Sequence, residues 1–127
     1  RGRFERLLVD APCSGTGVIR RHPEIRDRFD PAALARLAER QRRLLLAAAN
    51  HLAPAGRLIY SVCSLEPEEG PEVVDAVLAA RPDLRLLDAR EILAPRLHRL
   101  VDAAGRIATR PERDDLDGFF AVVLTPC

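Results

Sequence analysis

No apolar run in this sequence approaches the ~20 residues of a membrane-spanning helix, so no such span is expected. Lysine is absent, and all 20 positive charges are arginine. Guanidinium forks suit phosphate oxygens and stack on bases. A genome rich in G and C produces the same bias, so composition alone leaves both explanations open. Net charge is only +1, which excludes the global basic field that marks many nucleic-acid binders. Cysteine is scarce, and none of Cys13, Cys63 and Cys127 has CxxC spacing or a Cys/His cluster around it. A zinc site is therefore not expected, and no metal is assigned. Free thiols are expected instead, with no role read into the terminal Cys127. Internal repeats, low-complexity tracts and interdomain linkers are also missing. The opening residues, Arg1 to Arg6, are charged and lead straight into a short apolar run. That pattern predicts no secretory leader and a cytoplasmic location.

What is present suits one domain or part of one: 127 residues, 47% hydrophobic, enough to bury a core. Arg6 to Asp10 reads as a short buried strand, followed by the turn-rich Ala11-Pro12-Cys13-Ser14-Gly15-Thr16-Gly17. Asp30-Pro31 is a strong helix start, because Asp caps and Pro fits the first turn. The helix is predicted to reach about Leu52. Its apolar face is Leu34, Leu37, Leu44, Leu45 and Ala48, and its wet face Arg36, Glu39, Arg40 and Arg43. Arg57 to Val62 reads as a second buried strand, with Cys63-Ser64 just past its end. Leu65 to Gly70 opens another helix, in which Glu66, Glu68 and Glu69 are read as helix-start charges and Val73, Val74, Val77 and Leu78 as the apolar face. Leu84 to Leu87 is a third strand, 90–113 a loop with one helical turn near Glu91, and Phe119 to Leu124 a last strand.

Buried strands alternating with amphipathic helices indicate an α/β sheet of parallel type. In open sheets of this class, ligands bind outside the carboxyl ends of the strands. Asp10 to Cys13 and Cys63 lie at two such ends, so thiols 50 residues apart are predicted to face one crevice. Position alone leaves three roles open: a redox pair, two buried structural cysteines, or a nucleophile with a companion. Gly15-Thr16-Gly17 after a strand suggests a dinucleotide fingerprint, but position 20 is Arg, so GxGxxG fails.

The words around the cysteines are more specific. Asp10-Ala11-Pro12-Cys13-Ser14-Gly15-Thr16-Gly17, followed by Arg21-His22-Pro23-Glu24-Ile25-Arg26, resembles motif IV of the Nol/Nop/Sun family of RNA cytosine-C5 methyltransferases. Tyr60-Ser61-Val62-Cys63-Ser64, followed by Glu66-Pro67-Glu68-Glu69, resembles that family's motif VI, and Asp117-Gly118-Phe119-Phe120 its closing strand. The blocks come in family order and nearly span the chain. The resemblance is strongest to the bacterial Sun/RsmB branch, which methylates small-subunit (16S) ribosomal RNA. One departure is Val62, where the family carries Thr beside the motif VI cysteine.

The resemblance implies a fold: the C-terminal half of a Rossmann-like methyltransferase domain, strands four to seven, with a mostly parallel sheet and an antiparallel last strand. It implies S-adenosyl-L-methionine as cofactor and RNA as partner. It makes Cys63 the nucleophile, Cys13 the helper in product release, Asp10 a cofactor contact, and Pro12 a residue that shapes the substrate loop. Arg21 and His22 are candidate RNA-phosphate contacts, with a solvated loop as the equal alternative; His22, His51 and His98 are not read as general bases. The family's Gly-rich cofactor loop has no counterpart here. The chain alone is therefore expected to be inactive, and its first strand to be a bare edge prone to self-association. A non-catalytic RNA-binding or interaction module is the alternative function, and a thiol redox protein a third.

Overall fold

The computed structural model describes residues 2–127. The chain runs β1 (Phe4–Asp10), α1 (Glu24–Arg28), α2 (Pro31–Ala49), β2 (Leu52–Val62), α3 (Pro71–Ala80), β3 (Leu84–Leu87), β4 (Ile107–Thr109), α4 (Pro111–Asp114) and β5 (Phe119–Pro126). Asp30 caps α2 as its sequence predicts, accepting from the Ala32 amide at 2.9 Å with Pro31 in the first turn. Among the described residues, no helix is long and apolar enough to cross a membrane.

The sheet is mixed, in the order β1-β2-β5-β3, with β4 also pairing β5. β1 and β2 are parallel, whereas β5 runs antiparallel to β2, β3 and β4. The antiparallel last strand is as expected. A mostly parallel ladder is not, since one pairing of the four is parallel. The cause is where the last strand inserts. β1, β2 and β3 point one way, but β5 sits between β2 and β3 and runs against both, and against β4, so all three of its ladders are antiparallel.

Leu58, Tyr60 and Val62 of β2 and Phe120, Val122 and Leu124 of β5 alternate onto one sheet face. There they form one core with Leu45 and Ala49 of α2 and Val73, Val74 and Val77 of α3. Leu7 and Val9 of β1 pack against it, while Phe4 and Leu8 are 53% and 65% exposed. β1 has no partner on its outer side among the described residues.

Four local expectations change. The second strand begins at Leu52, not Arg57, because the His51 carbonyl and Leu52 engage Phe4 before Pro54-Ala55-Gly56 breaks the register. The helix expected to open at Leu65 opens at Pro71, after a turn that folds Glu69 inward. On α2, Leu44 is 39% exposed and Gln41 fully buried, so the wet and dry faces are rotated from the predicted stripe. The segment 90–113 holds more than a loop: 3₁₀ turns at Ala89–Glu91 and Pro95–Leu100 are followed by β4 and α4. β4 is three residues long, too short to leave a period in the sequence.

Candidate active site

Asp10 stands opposite Ser61 in the parallel ladder, and the Ala11 amide donates to the Ser61 carbonyl at 3.0 Å. The two strands therefore end side by side. The loops that follow them, residues 11–17 and 63–70, leave from the same end of the sheet, where α/β proteins hold their ligands. Backbone bonds stitch them together: the Gly17 amide donates to the Cys63 carbonyl (3.0 Å), and the Leu65 amide to Thr16 Oγ1 (3.0 Å).

The third sequence block joins them. The Gly118 amide donates to the Gly17 carbonyl at 2.7 Å. Behind it, Thr109 Oγ1 donates to the Asp117 carbonyl (2.6 Å) and accepts from the Phe119 amide (2.9 Å), which fixes the entry into β5. A Cβ on Gly17 would lie 1.9 Å from the Gly118 oxygen, so glycine is needed there for backbone contact. This accounts for the Gly-Thr-Gly run without any dinucleotide.

Cys13 and Cys63 meet with their Sγ atoms 3.5 Å apart. Both are half-buried free thiols. Burial first, and then the neighbouring Cys63, push the Cys13 thiol up to about 12. Two sulfurs in contact cannot both hold negative charge cheaply. A cleft of about 420 Å³ opens over the pair, with Gly15, Val18, Ile25, Phe29 and Leu37 in its wall and Arg28 and Asp30 at its edge. That volume lies within the range of small-molecule sites, about 300–1,000 Å³. Mostly apolar walls with two thiols at the base can receive a flat ring and present sulfur to it.

The remaining predicted residues are placed differently. Asp10 is exposed at the end of β1 and is not among the residues lining the cleft over the thiols. Pro12 is exposed, and its carbonyl accepts from Gln41 Nε2 at 2.9 Å. Arg21 is engaged within the chain: its Nε lies 2.7 Å from Asp117 Oδ2, while Arg20 Nε donates to Oδ1 of the same carboxylate at 2.8 Å. Those partners, chiefly the Arg20 hydrogen bond, hold the Asp117 carboxyl below the usual carboxylate range. His22 is exposed beside Glu24, with 3.4 Å between Nδ1 and the carboxylate. Val62, in place of the family's Thr, is fully buried in the core beneath the sheet. Among the described residues, no group of three or more His, Cys, Asp or Glu could hold a metal.

Two polar groups at the site escaped the sequence reading. Glu69, read as a helix-start charge, is fully buried, and its carboxylate accepts from the Ser14 amide (2.8 Å), the Ser14 hydroxyl (2.6 Å) and the Ser64 hydroxyl. Its own carbonyl accepts from the Tyr60 hydroxyl at 2.5 Å. Burial, and then the Glu69 charge, raise the Tyr60 phenol above its ordinary range. Gln41 of α2 is the other, donating to Pro12 and to Glu69.

Residues 1–125 match the family model described as 16S rRNA methyltransferase RsmB/F. Ribosomal RNA small subunit methyltransferase F of Serratia proteamaculans is 34% identical over 95% of this chain and 25% of its own length. Methyltransferase B of Sodalis glossinidius is 43% identical over 92% of the chain and 25% of its own length. The chain thus spans about a quarter of the curated relatives it matches. The crystal structure of PH0851 superposes with a TM-score of 0.84 at 31% identity, over 95% of this chain and 26% of that one. NSun6 from Pyrococcus horikoshii, solved with SFG, shares the fold at a TM-score of 0.79 and 24% identity, over 98% of this chain and 30% of its own. The sequence blocks, the joined cysteine loops and these likenesses agree: the chain belongs to the RsmB/F family of 16S rRNA methyltransferases.

Proposed function

We propose that this chain supplies the thiol half of the catalytic centre of an RNA cytosine-C5 methyltransferase acting on small-subunit ribosomal RNA. The observation that carries the reading is the contact of two thiols, 3.5 Å apart, at the carboxyl ends of adjacent parallel strands. C5 of cytosine is too weak a nucleophile to accept a methyl group unaided. The Cys63 thiolate adds to C6, forming a C–S bond and leaving C5 enamine-like. Once C5 carries the methyl group and has lost its proton to a base, the C–S bond breaks and returns the thiolate. Cys13, held protonated beside Cys63, assists that release. Gly15, Val18, Ile25 and Phe29 would enclose the base, and Arg21 and His22, though paired with Asp117 and Glu24, are exposed and would meet phosphate.

S-adenosyl-L-methionine would supply the methyl group. Asp10, exposed at the end of β1 and outside the cleft over the thiols, is the residue we assign to this cofactor. We read the chain as strands four to seven of a Rossmann-like domain whose cofactor half lies in the remainder of a protein of the relatives' length. On this reading the 127-residue chain alone shows no methyl transfer. Its exposed β1, with Phe4 and Leu8 outward, makes it self-associate. Light scattering at high concentration is expected to report dimers or larger species. A monomer there, or turnover by the isolated chain, would refute this part of the reading.

The central test traps the adduct. RNA bearing 5-fluorocytosine has no C5 proton to lose, so the full-length protein with its cofactor should stall as a covalent complex, with the RNA on the peptide containing Cys63. An adduct on Cys13, or none, would overturn the assignment.

A further inference from the structure

The assigned roles leave one buried ionisable group at the site without a task. Glu69 has no exposed surface, and a buried carboxylate is tolerated only when its oxygens are satisfied. Here both are, from separate parts of the chain. Oε1 accepts from the Ser14 amide (2.8 Å) and Gln41 Nε2 (3.2 Å). Oε2 accepts from the Ser14 and Ser64 hydroxyls. Four donors fill the acceptor capacity of a carboxylate. The residues it grips are the immediate neighbours of the two thiols. Ser14 follows Cys13, Ser64 follows Cys63, and Gln41 also holds the Pro12 carbonyl on the other side of Cys13 (2.9 Å). The other links between the two segments are the Ala11 amide on the Ser61 carbonyl before Cys13, the Ser14–Ser64 hydroxyl contact (3.4 Å), and those at Thr16 and Gly17 beyond it; Glu69 adds the bonds that grip the residues next to both thiols at once.

We propose that Glu69 is a positioning residue: with Gln41 it latches the Cys13 loop to the Cys63 loop and holds the two sulfurs in contact. Its consequence for turnover rests on the function proposed above, but the latch itself does not.

The thiol pair provides a readout that needs no catalysis. In glutathione buffers, the Cys13 and Cys63 thiols and one oxidised glutathione give one protein disulfide and two reduced glutathiones. The equilibrium constant measures the effective concentration of one thiol at the other. In the full-length protein, Glu69→Ala is expected to lower that constant at least about tenfold and to lower kcat by a similar factor with KM for RNA unchanged. Glu69→Gln is expected to stay within about threefold of wild type on both measures, because its oxygen can face the two N–H donors and its NH2 the two hydroxyls, which rotate to accept. If Glu69→Ala does not fold, Ser14→Ala removes one of the four donors and is expected to lower the constant about threefold. A folded Glu69→Ala or Ser14→Ala with the wild-type constant overturns the latch, as does Glu69→Gln being as impaired as Glu69→Ala. A lowered constant alongside a Cys63→Ala protein that still methylates RNA would support the latch and remove the catalytic reading instead.

Discussion

Replacing Cys63 by alanine in the full-length protein is expected to lower methyl transfer at least about ten-thousandfold, the scale on which nucleophile deletions act. RNA binding should persist, because no group that would meet phosphate is touched. Replacing Cys13 should look different. If Cys13 assists release, the Cys13→Ala protein still forms the C–S bond but sheds it slowly, so RNA remains on the protein through denaturing electrophoresis. The double variant should lose that band. The test rests on the geometry: the sulfurs are 3.5 Å apart, so either thiol could reach the base, and burial and its neighbour raise the Cys13 thiol. A protonated thiol is a poor nucleophile. If Cys13→Ala abolished turnover without an adduct while Cys63→Ala retained it, the two roles would have to be exchanged.

Gly17→Ala is expected to be the most damaging single change to the fold of this segment, costing at least about 3 kcal/mol. The added Cβ would fall 1.9 Å from the Gly118 carbonyl oxygen, a backbone atom with little room to retreat. Gly118 is held in place by its amide, which is bound to the Gly17 carbonyl at 2.7 Å, and a Cβ on Gly118 would itself meet Leu65 Cδ2 at 2.5 Å and Gly17 Cα at 2.8 Å. Pushing the Gly17 turn away from Gly118 would also strain the bond from the Gly17 amide to the Cys63 carbonyl. The damage should therefore appear in the thiol–disulfide equilibrium as well as in thermal melting. Gly2→Ala is the control: nothing lies within 4 Å of its would-be Cβ, so its melting should stay within about 0.5 kcal/mol of wild type. Equal melting of the two variants would mean that the Gly17–Gly118 contact is not tight in solution.

Much of this arrangement is legible from local sequence. β1, α2, α3 and β3 follow from apolar period and capping residues, and the ends of β1 and β2 place both cysteines at one crevice. Motif words supplied the order of the blocks. The weaker readings share a cause. Arg21 looks free for phosphate in the sequence, yet Asp117, 96 positions away, occupies its Nε. Leu44 satisfies a helical stripe but stays 39% exposed, because the neighbouring α3 and sheet meet α2 along the line of Leu34, Gln41 and Leu45.

By itself, then, the sequence determined β1, α2, β2, α3, β3 and β5, the reach of the family resemblance and the pairing of Cys13 with Cys63, since period, turn chemistry and motif words are properties of short segments. Tertiary structure alone decided that β5 inserts between β2 and β3, that Gly17 meets Gly118, and that Gln41 and Glu69 are buried at the thiols. Sequence pattern assigns a polar side chain to the wet face, because burying one is unfavourable until partners are found for it. For Glu69 those partners are Ser14, Gln41 and Ser64. Ser14 and Gln41 lie 55 and 28 residues away, and only folding brings them to one point.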